Sequence, residues 1–302
     1  MDQMEIRQLV ARQRAYFQSG ATLPARARVE ALRALRSAVA AREEELNDAL
    51  RADLGKSAFE SYMCEVGMVL SELTYMIRRT PAFAADRRVR TPLAQFAARS
   101  YVKPSPYGTV LIMSPWNYPL LLTLDPLIDA LAAGNTAVVK PSAYSPATSR
   151  VIARLLAECF PPEFVCVVEG GRAENQALLD QKFDYIFFTG GVAVGREVMS
   201  KAARHLTPVT LELGGKSPCV VDATAKLDLA AKRLVFGKLL NCGQTCVAPD
   251  YLLIDGRVKD QFLSHVKKWM TAMYGQDPLD NQGYVRMINR KHYDRVMGLI
   301  DP

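Results

Sequence analysis

A cysteine in a segment of small residues is the first position in this sequence that could do chemistry. Cys246 lies in Gly-Gln-Thr-Cys-Val-Ala-Pro (residues 243–249), just past a predicted helix, where small neighbours would give a substrate access to the sulfur. A cysteine is intrinsically nucleophilic, although only a few per cent is thiolate at neutral pH. Burial in the core is the commoner fate of a lone cysteine. Cys242, four residues earlier, adds a dithiol switch as a further alternative.

An acidic residue lies inside an apolar, strand-like segment. Glu212 belongs to Thr-Leu-Glu-Leu-Gly-Gly-Lys-Ser-Pro (residues 210–218), directly before a flexible Gly-Gly turn. Burial in such a strand would raise the carboxyl pKa above about 4.3, towards the range that suits a general base. A structural ion pair with Lys216 or another basic residue is the alternative.

Two polar side chains follow predicted strands. Asn117 lies in the loop Ser-Pro-Trp-Asn-Tyr-Pro (residues 114–119), and its amide is the right type of donor for an oxyanion, a role worth about 3 kcal/mol elsewhere. A turn between prolines is the alternative. Lys140 ends a strand, so its ammonium should emerge at the carboxyl edge of the sheet, where ligands of open α/β folds bind. An ordinary snorkelling lysine is the alternative there.

A glycine-rich turn joins a predicted strand to a predicted helix. The segment Thr-Gly-Gly-Val-Ala-Val-Gly (residues 189–195) follows the strand-like Tyr-Ile-Phe-Phe. Backbone amides and a helix N-terminus could face a phosphate at such a turn. The spacing is not G-x-G-x-x-G, so plain turn glycines are the alternative.

The elements that must position these residues alternate between short apolar strands and helices after Gly108, which is typical of a parallel sheet with helical crossovers. Strands are predicted over Thr109 to Met113, Thr136 to Lys140, Phe164 to Val168 and Tyr185 to Phe188. Helices are predicted over Pro119 to Ala133, Ser145 to Cys159, Glu174 to Gln181 and Gly195 to Arg204. The fold class is therefore α/β, with a doubly wound parallel sheet.

The segments on either side of this region have different patterns. An apolar stripe at helical spacing predicts helices from residue 2 to about 79, and residues 86–106 could form an arm that pairs elsewhere. After the sheet, strands are predicted over Val209 to Leu213, Pro218 to Val221 and Tyr251 to Ile254, and helices over Leu227 to Leu240 and Val258 to Met273. We expect two domains, residues 1–211 and 212–302.

Composition excludes several classes of protein. The 302 residues carry 38 basic and 31 acidic side chains, and the arginines before residue 100 alternate with apolar residues as on a solvated helix face, so we expect no nucleic-acid partner. Prolines interrupt the longest apolar stretch, so we expect no membrane span. Six scattered cysteines and no secretory signal predict free thiols in the cytoplasm. With three histidines and no close Cys-x-x-Cys pair, we expect no metal site.

Taken in order, the motifs resemble those of the NAD(P)-dependent aldehyde dehydrogenases. They are Ser-Pro-Trp-Asn-Tyr-Pro, Val-Lys-Pro-Ser, Phe-Thr-Gly-Gly with Gly195, Glu-Leu-Gly-Gly-Lys-Ser-Pro and Gly-Gln-Thr-Cys. The resemblance spans essentially the whole chain. The short region before Trp116 and the segment Cys-Val-Ala-Pro-Asp-Tyr (residues 246–251) look most like the class 3 branch, whose members act on medium-chain, fatty and aromatic aldehydes, commonly as dimers. The implied fold is a cofactor domain followed by the first part of a second α/β domain.

The resemblance assigns three catalytic roles. Cys246 attacks the aldehyde carbon, the Asn117 amide and the Cys246 backbone N–H hold the oxyanion of the thiohemiacetal, and Glu212 activates the water that hydrolyses the thioester. Relatives that pass the acyl group to coenzyme A lack this acid, so Glu212 favours release of a carboxylic acid. A semialdehyde or acyl-phosphate reductase is a further alternative, and the Gly-Gly-Lys context of Glu212 argues against it.

The resemblance also implies a nicotinamide cofactor, NAD or NADP. Lys140 corresponds to the lysine that binds the adenosine ribose hydroxyls. Positions at or beside the cofactor are Trp116, Ser142, Gly190, Gly191, Gly195 and Leu213. Many NAD-preferring relatives read Lys-Pro-Ser-Glu, whose acid bonds the ribose 2′-OH and repels a 2′-phosphate. Ala143 stands at that fourth position here, so we predict that NADP is accepted.

Family members continue well beyond a position like Pro302, with a Glu-x-Phe-Gly-Pro motif and a C-terminal strand that helps to form the dimer. We therefore expect that this sequence is truncated at its C-terminus and that its catalytic domain is about half present. The alternative function is that of a catalytically inactive fragment, acting only as a nucleotide-binding or interaction module with an uncovered apolar surface.

Overall fold

The computed structural model describes residues 1–300. The chain begins with a bundle of helices, and a capping box between Asp2 and Glu5 fixes the first of them. The helices are α1 (Gln3–Gln18), α2 (Ala25–Ala41), α3 (Glu43–Leu54), α4 (Ala58–Ser61) and α5 (Gly67–Phe83). A π-helical turn, Tyr62–Val66, joins α4 to α5. The predicted helical N-terminal region is confirmed.

A short hairpin follows the bundle. Strands β1 (Arg87–Val89) and β2 (Ser100–Val102) pair antiparallel, with a 3₁₀ turn at Leu93–Gln95 between them. Nearly all of the hairpin is exposed, and Leu93 and Phe96 at its tip are each 88% exposed. This hairpin lies within the arm expected at residues 86–106.

Five parallel strands form the central sheet, in the order β5-β4-β3-β6-β7. They are β3 (Thr109–Met113), β4 (Thr136–Lys140), β5 (Val165–Val167), β6 (Tyr185–Gly190) and β7 (Val209–Leu213). The connecting helices are α6 (Leu121–Ala133), α7 (Pro146–Cys159), α8 (Arg172–Leu179) and α9 (Val192–Ala203). The predicted α/β class and doubly wound parallel sheet are confirmed.

Helices cover both faces of this sheet, as the fully buried strands β3 and β4 require. Alternate residues of β3 face opposite layers. Val110 and Ile112 pack with α2, α3, α5, α6 and α7, whereas Leu111 and Met113 pack with α1, α8 and α9. The two layers hold the sheet rigidly and leave its carboxyl edge for the loops.

A second, smaller unit follows the sheet. Strands β8 (Ser217–Val221) and β9 (Pro249–Ile254) pair parallel, and α10 (Leu227–Leu239) and α11 (Lys259–Tyr274) pack on them around Phe262. A 3₁₀ segment, Leu240–Gly243, and a 3₁₀ turn, Pro278–Asp280, precede the last helix, α12 (Arg290–Ile300). Strand β7 extends the central sheet to Leu213, and β8 begins at Ser217 after the Gly-Gly turn.

None of the helices within residues 1–300 combines the length and apolar character needed to cross a lipid bilayer.

Candidate active site

The carboxyl ends of the central strands meet at one edge of the sheet. Met113 lies in register with Lys140 on one side and with Phe188 on the other. The connections reverse direction between β3 and β6, and ligands of open α/β sheets bind in the crevice at such a point. The hydroxyls of Ser114 and Thr189 are buried at these two strand ends, and neither has a hydrogen-bond partner within residues 1–300. A polar ligand in the crevice would supply the missing partners.

Lys140 lies at this edge but is buried, with 3% of its surface exposed. Its Nζ donates to the carbonyl oxygens of Pro141 and Gly170, each over 2.7 Å. An ammonium has three donors, so these two bonds leave one for a ligand hydroxyl. Burial lowers the pKa of Lys140 to about 8, against the opposing effect of the nearby Glu174 and Glu169 carboxylates.

The turn after Lys140 places small residues beside the crevice. The Ser142 hydroxyl accepts a hydrogen bond from the Tyr144 backbone over 3.2 Å, and its carbonyl accepts one from the Ser149 hydroxyl over 2.9 Å. These bonds fix the turn that precedes α7. Ala143 is exposed within it, so the turn presents a methyl group to solvent.

The N-terminus of α9 points its free amides at the same edge. Gly191 is the N-cap residue and supplies no side-chain bond, so the first backbone donors of the helix are available to an anion. A Cβ on Gly195 would lie 2.9 Å from the Leu213 side chain, and one on Gly190 would lie 2.5 Å from the ring of Phe188. Glycine at these two positions avoids both close contacts, and the uncapped amides beside it could bind an anion.

Two distant loops join beside this crevice. The Asn117 side-chain amide donates to the Gln244 carbonyl over 2.9 Å, and the Tyr118 and Thr245 hydroxyls are hydrogen-bonded at 2.6 Å. The Asn241 amide donates to the Asn117 carbonyl over 2.8 Å. These three bonds tie the loop after β3 to the loop that carries the candidate nucleophile.

The segment before the nucleophile is a strained left-handed turn. Asn241 and Cys242 both have φ of 54°, followed by Gly243 at 73°. This backbone conformation costs free energy for a non-glycine residue, and it persists only where the surrounding structure imposes it. The Asn241 backbone N–H donates to the Glu60 carboxylate over 2.8 Å, which anchors the turn. We did not predict this turn from the sequence, although Asn-Cys-Gly is a usable signal, since Asn and Gly tolerate positive φ.

Cys246 is partly exposed on the loop that follows the turn. The turn after β7 lies against it, since a Cβ on Gly215 would be 3.5 Å from the Cys246 carbonyl oxygen. Lys216, the next residue, forms an ion pair with Asp250 at 3.1 Å. The end of β7 and the cysteine loop are therefore neighbours.

Glu212 does not occupy the buried environment that we expected. Its side chain is exposed, because it lies on the open face of the edge strand β7, although its backbone is in register with Thr189. The alternative of an ion pair with Lys216 is also wrong, since Lys216 pairs with Asp250. Within residues 1–300 the Glu212 carboxylate makes no hydrogen bond. Its exposure leaves both carboxylate oxygens accessible to water.

Helix α12 adds residues that the sequence analysis missed. The His292 ring lies edge-on against Trp116, with centroids 4.6 Å apart, and against Tyr144 at 5.3 Å. The Gln244 side chain fixes the approach of this helix, because it bonds the backbone of residues 286 and 288, each over 3.1 Å. A lone histidine after residue 290 gave no signal of this contact.

Polar groups gathered at the switch point of a doubly wound sheet define a dinucleotide-binding class of α/β protein. The model of the aldehyde dehydrogenase family matches residues 1–302. The chain belongs to this family, and the resemblance stated from the motifs is confirmed.

The relatives agree with the class 3 branch. The chain is 44% identical over 292 residues to aldehyde dehydrogenase family 3 member A2 of Rattus norvegicus, covering 97% of this chain and 60% of the relative. It is 44% identical over 298 residues to the dimeric NADP-preferring aldehyde dehydrogenase of Canis lupus familiaris, covering 98% of this chain and 66% of the relative.

The fold agrees with a solved structure described as the substrate-bound state of Staphylococcus aureus AldH. The TM-score is 0.95 at 42% identity, over 97% of this chain and 64% of that chain. The chain thus spans about three fifths of the length of these relatives.

Proposed function

We propose that the protein to which this chain belongs oxidises an aldehyde to a carboxylic acid with NAD or NADP. The observation that carries the proposal is the hydrogen-bonded union of the Asn117 and Cys246 loops at the carboxyl edge of the sheet. It ties the loop that carries the Asn117 carboxamide to the loop that carries Cys246, which supports the action of both groups on one substrate.

The first step is attack of the Cys246 sulfur on the aldehyde carbon, with the thiol proton passing to solvent. A C–S bond forms, and the electron pair of the carbonyl moves onto its oxygen. One N–H of the Asn117 amide is bonded to Gln244, and the other remains to stabilise this oxyanion together with the Cys246 backbone N–H. The product of the step is a thiohemiacetal.

A nicotinamide cofactor, when bound, supplies the acceptor for the hydride that leaves the thiohemiacetal carbon. Lys140 would hold a ribose hydroxyl with its remaining donor, and the free backbone amides of the first turn of α9, directly after Gly190 and Gly191, would hold the pyrophosphate. The exposed Ala143 leaves room for a 2′-phosphate. The name of the NADP-preferring relative supports the use of NADP as well as NAD.

The second half of the reaction releases the acid. Glu212 takes a proton from a water molecule, whose oxygen attacks the thioester carbon and displaces the Cys246 thiolate. The exposure of Glu212 gives its carboxylate access to water, and the contact of Gly215 with Cys246 keeps its strand beside the nucleophile. Covalent capture thus divides one difficult oxidation into two easier steps.

We propose medium-chain, fatty or aromatic aldehydes as substrates, and a homodimer as the assembly. The class 3 relatives support the substrate class, and the printed name of the Canis lupus familiaris relative supports the dimer.

The exposed hairpin β1–β2 is the proposed contact between subunits. Six cysteines with free thiols support a cytoplasmic location.

The test is formation of NADH or NADPH by the purified 302-residue chain with octanal or benzaldehyde, beside the Cys246→Ser variant. Turnover that the substitution abolishes is expected. A folded chain that binds the cofactor without turnover would favour the alternative of an inactive nucleotide-binding module. The exposed apolar side chains of Val220 and Leu253 on β8 and β9 are the observation that favours this alternative.

A further inference from the structure

A fully buried ion pair lies beneath the loop that carries Asn117. The side chains of Lys56 and Glu65 are both 0% exposed, and the Lys56 ammonium donates to the Glu65 carboxylate. Neither residue touches the crevice, and the sequence analysis assigned neither a role. Burying a charged side chain costs several kcal/mol, and hydrogen bonds to the buried charge offset this cost. The other groups that Lys56 and Glu65 contact are therefore part of what stabilises the pair.

Lys56 also contacts two residues of the loop that follows β3. Besides Glu65, its Nζ donates to the Asn117 carbonyl oxygen over 3.1 Å and lies 4.3 Å from the centroid of the Tyr118 ring. The Asn117 carbonyl accepts a second bond, from the Asn241 amide over 2.8 Å. The peptide group between residues 117 and 118 is therefore held from two sides.

Glu65 holds the other end of the same loop. Its second carboxylate oxygen accepts hydrogen bonds from the backbone of Leu120 over 2.8 Å and of Leu121 over 3.2 Å. Leu120 is the N-cap residue of α6 and Leu121 is its first residue. The N-cap residue itself supplies no side-chain hydrogen bond. Glu65 thus serves as a cap supplied by another helix, with its negative charge at the positive end of α6.

A π-helical turn places the Glu65 side chain, whereas Lys56 lies in the connection between α3 and α4. Tyr62–Val66 buries three consecutive residues, and Glu65 is the middle one. The turn is closed by Gly67, because a Cβ there would lie 2.7 Å from the Tyr62 carbonyl oxygen. Such turns are rare within helices and often occur at functional sites.

We propose that Lys56 and Glu65 are positioning residues that hold the Asn117 carboxamide where it can donate to the oxyanion formed on the carbon bonded to Cys246. This inference rests on the proposed function, since it concerns the same oxyanion. The pair acts through the Asn117 backbone and through the first turn of α6, and it contacts neither substrate nor cofactor.

The test uses acylation of Cys246 by p-nitrophenyl acetate, which needs no cofactor. The sulfur attacks the ester carbon, a thioester forms, p-nitrophenolate leaves with the bonding electron pair, and the thiol proton passes to solvent. The release of p-nitrophenolate is measured in a first turnover for the 302-residue chain and for four variants. They are Asn117→Ala, Lys56→Met/Glu65→Gln, the combination of these three substitutions, and Cys246→Ser.

We expect the neutral pair Lys56→Met/Glu65→Gln to fold, because replacing both partners leaves no unpaired buried charge. The acylation rate should fall by about 10- to 100-fold, as small misplacements of a catalytic group do. In the Asn117→Ala background the same two substitutions should change the rate by less than about twofold. A pair that only stabilised the fold would give equal factors in both backgrounds, and that result would overturn the proposal, as would an unchanged rate with Asn117 present.

A second measurement follows the loop itself. Hydrogen exchange at the amides of Leu120 and Leu121 should accelerate in Lys56→Met/Glu65→Gln, while exchange in β3 stays as it is. Gln13→Leu is the matched control, since Gln13 is buried and its amide bonds the carbonyls of Ala137 and Pro162 away from the site. It should leave both the loop exchange and the acylation rate unchanged. Loop amides equally protected in the neutral pair would overturn the proposal.

The failure of the proposed function has a different signature. If the unsubstituted chain releases no more p-nitrophenolate than Cys246→Ser, the assignment of the nucleophile is wrong, and the positioning role is overturned with it. If only the Lys56→Met/Glu65→Gln result departs from expectation, the nucleophile stands and the positioning role alone fails.

Discussion

The side-chain amide of Asn117 donates a hydrogen bond to the backbone carbonyl of Gln244 over 2.9 Å, although the two residues are 127 positions apart in sequence. The bond orients the carboxamide at the place where the cysteine loop passes. We expect Asn117→Ala to lower turnover by about 100- to 1,000-fold, since one oxyanion donor is lost. The measurement is kcat with an aldehyde and cofactor.

Tyr118→Phe is the matched control for that substitution, because it removes the bond to Thr245 and leaves the Asn117 amide in place. Its loss of kcat should be far smaller. Equal losses of kcat in the two variants would mean that only the hydrogen bonds between the two loops matter for turnover. The oxyanion role of Asn117 would then be wrong.

The pKa of Lys140 gives a prediction about pH. Burial holds it at about 8 in the folded chain, against 10.5 as its ordinary value. The unfolded chain therefore binds more protons between pH 8 and 10.5, so stability rises with pH across this window. Relative to Lys140→Met, the unsubstituted chain should gain melting temperature from pH 8 to pH 10. A difference that stays constant over this range would contradict the assignment.

Cofactor affinity should respond in the opposite sense at Lys140. The ammonium is the better donor to a ribose hydroxyl, so the dissociation constant for NAD should increase as the pH rises through about 8. In Lys140→Met the dissociation constant for NAD should be larger at every pH and nearly independent of pH over this interval. Titration calorimetry at several pH values measures both curves, and parallel curves would exclude a direct contact.

The exposed Ala143 predicts the choice between cofactors. Ala143→Glu should lower kcat/KM for NADP relative to NAD by at least about tenfold, because a like charge beside the 2′-phosphate is repelled. Ala143→Gln, which has nearly the same shape without the charge, should change the ratio much less. Strong selectivity for NAD that Ala143→Glu leaves untouched would show that another group reads the ribose.

The hairpin tip predicts the effect of charge on assembly. Leu93 and Phe96 are each 88% exposed, and a dimer contact would cover them. Leu93→Asp/Phe96→Asp should shift the protein from dimer to monomer in sedimentation velocity. Leu279→Asp is the control, since Leu279 is equally exposed on a different loop. A dimer that survives the first variant as well as the second would remove the hairpin from the interface.

The left-handed turn predicts an unusual order of stability at Cys242. Its φ of 54° suits glycine and opposes a β-branched side chain. Cys242→Val should therefore unfold more easily than Cys242→Gly, by about 1–3 kcal/mol. At Cys219, which lies in strand β8, the order should be the reverse, since valine favours strands and glycine weakens them. Denaturant unfolding of the four variants checks this inversion.

The sheet could be predicted from the sequence because its strands carry their own signal. Residues 109–113 and 136–140 are short segments with apolar centres, Val-Leu-Ile and Ala-Val-Val, and the strands occupy those bounds. Helix ends were less certain. α9 begins at Val192, directly after the Gly-Gly turn, and so precedes our predicted start at Gly195 by three residues.

The parts that could not be predicted depend on contacts between distant segments. A lysine at 56 and a glutamate at 65 look like surface residues, and only the fold buries them under residue 117. For Glu212 the error is the opposite one. An acid among apolar neighbours predicts a buried side chain, but Glu212 is exposed because β7 is the last strand of its sheet. The order of strands decides that exposure, and periodicity within one strand cannot report it.

Gly195 and Leu213 together set a dimension of the molecule. The space between helix α9 and the end of β7 is narrower than one methyl group, because a Cβ on Gly195 would come within 2.9 Å of the leucine. An alanine at position 195 would make the end of the Leu213 side chain shift, and a side chain larger than the space so freed would push the free amides at the start of α9 away from the sheet. The distance between those amides and the sheet thus depends on how closely these two residues pack.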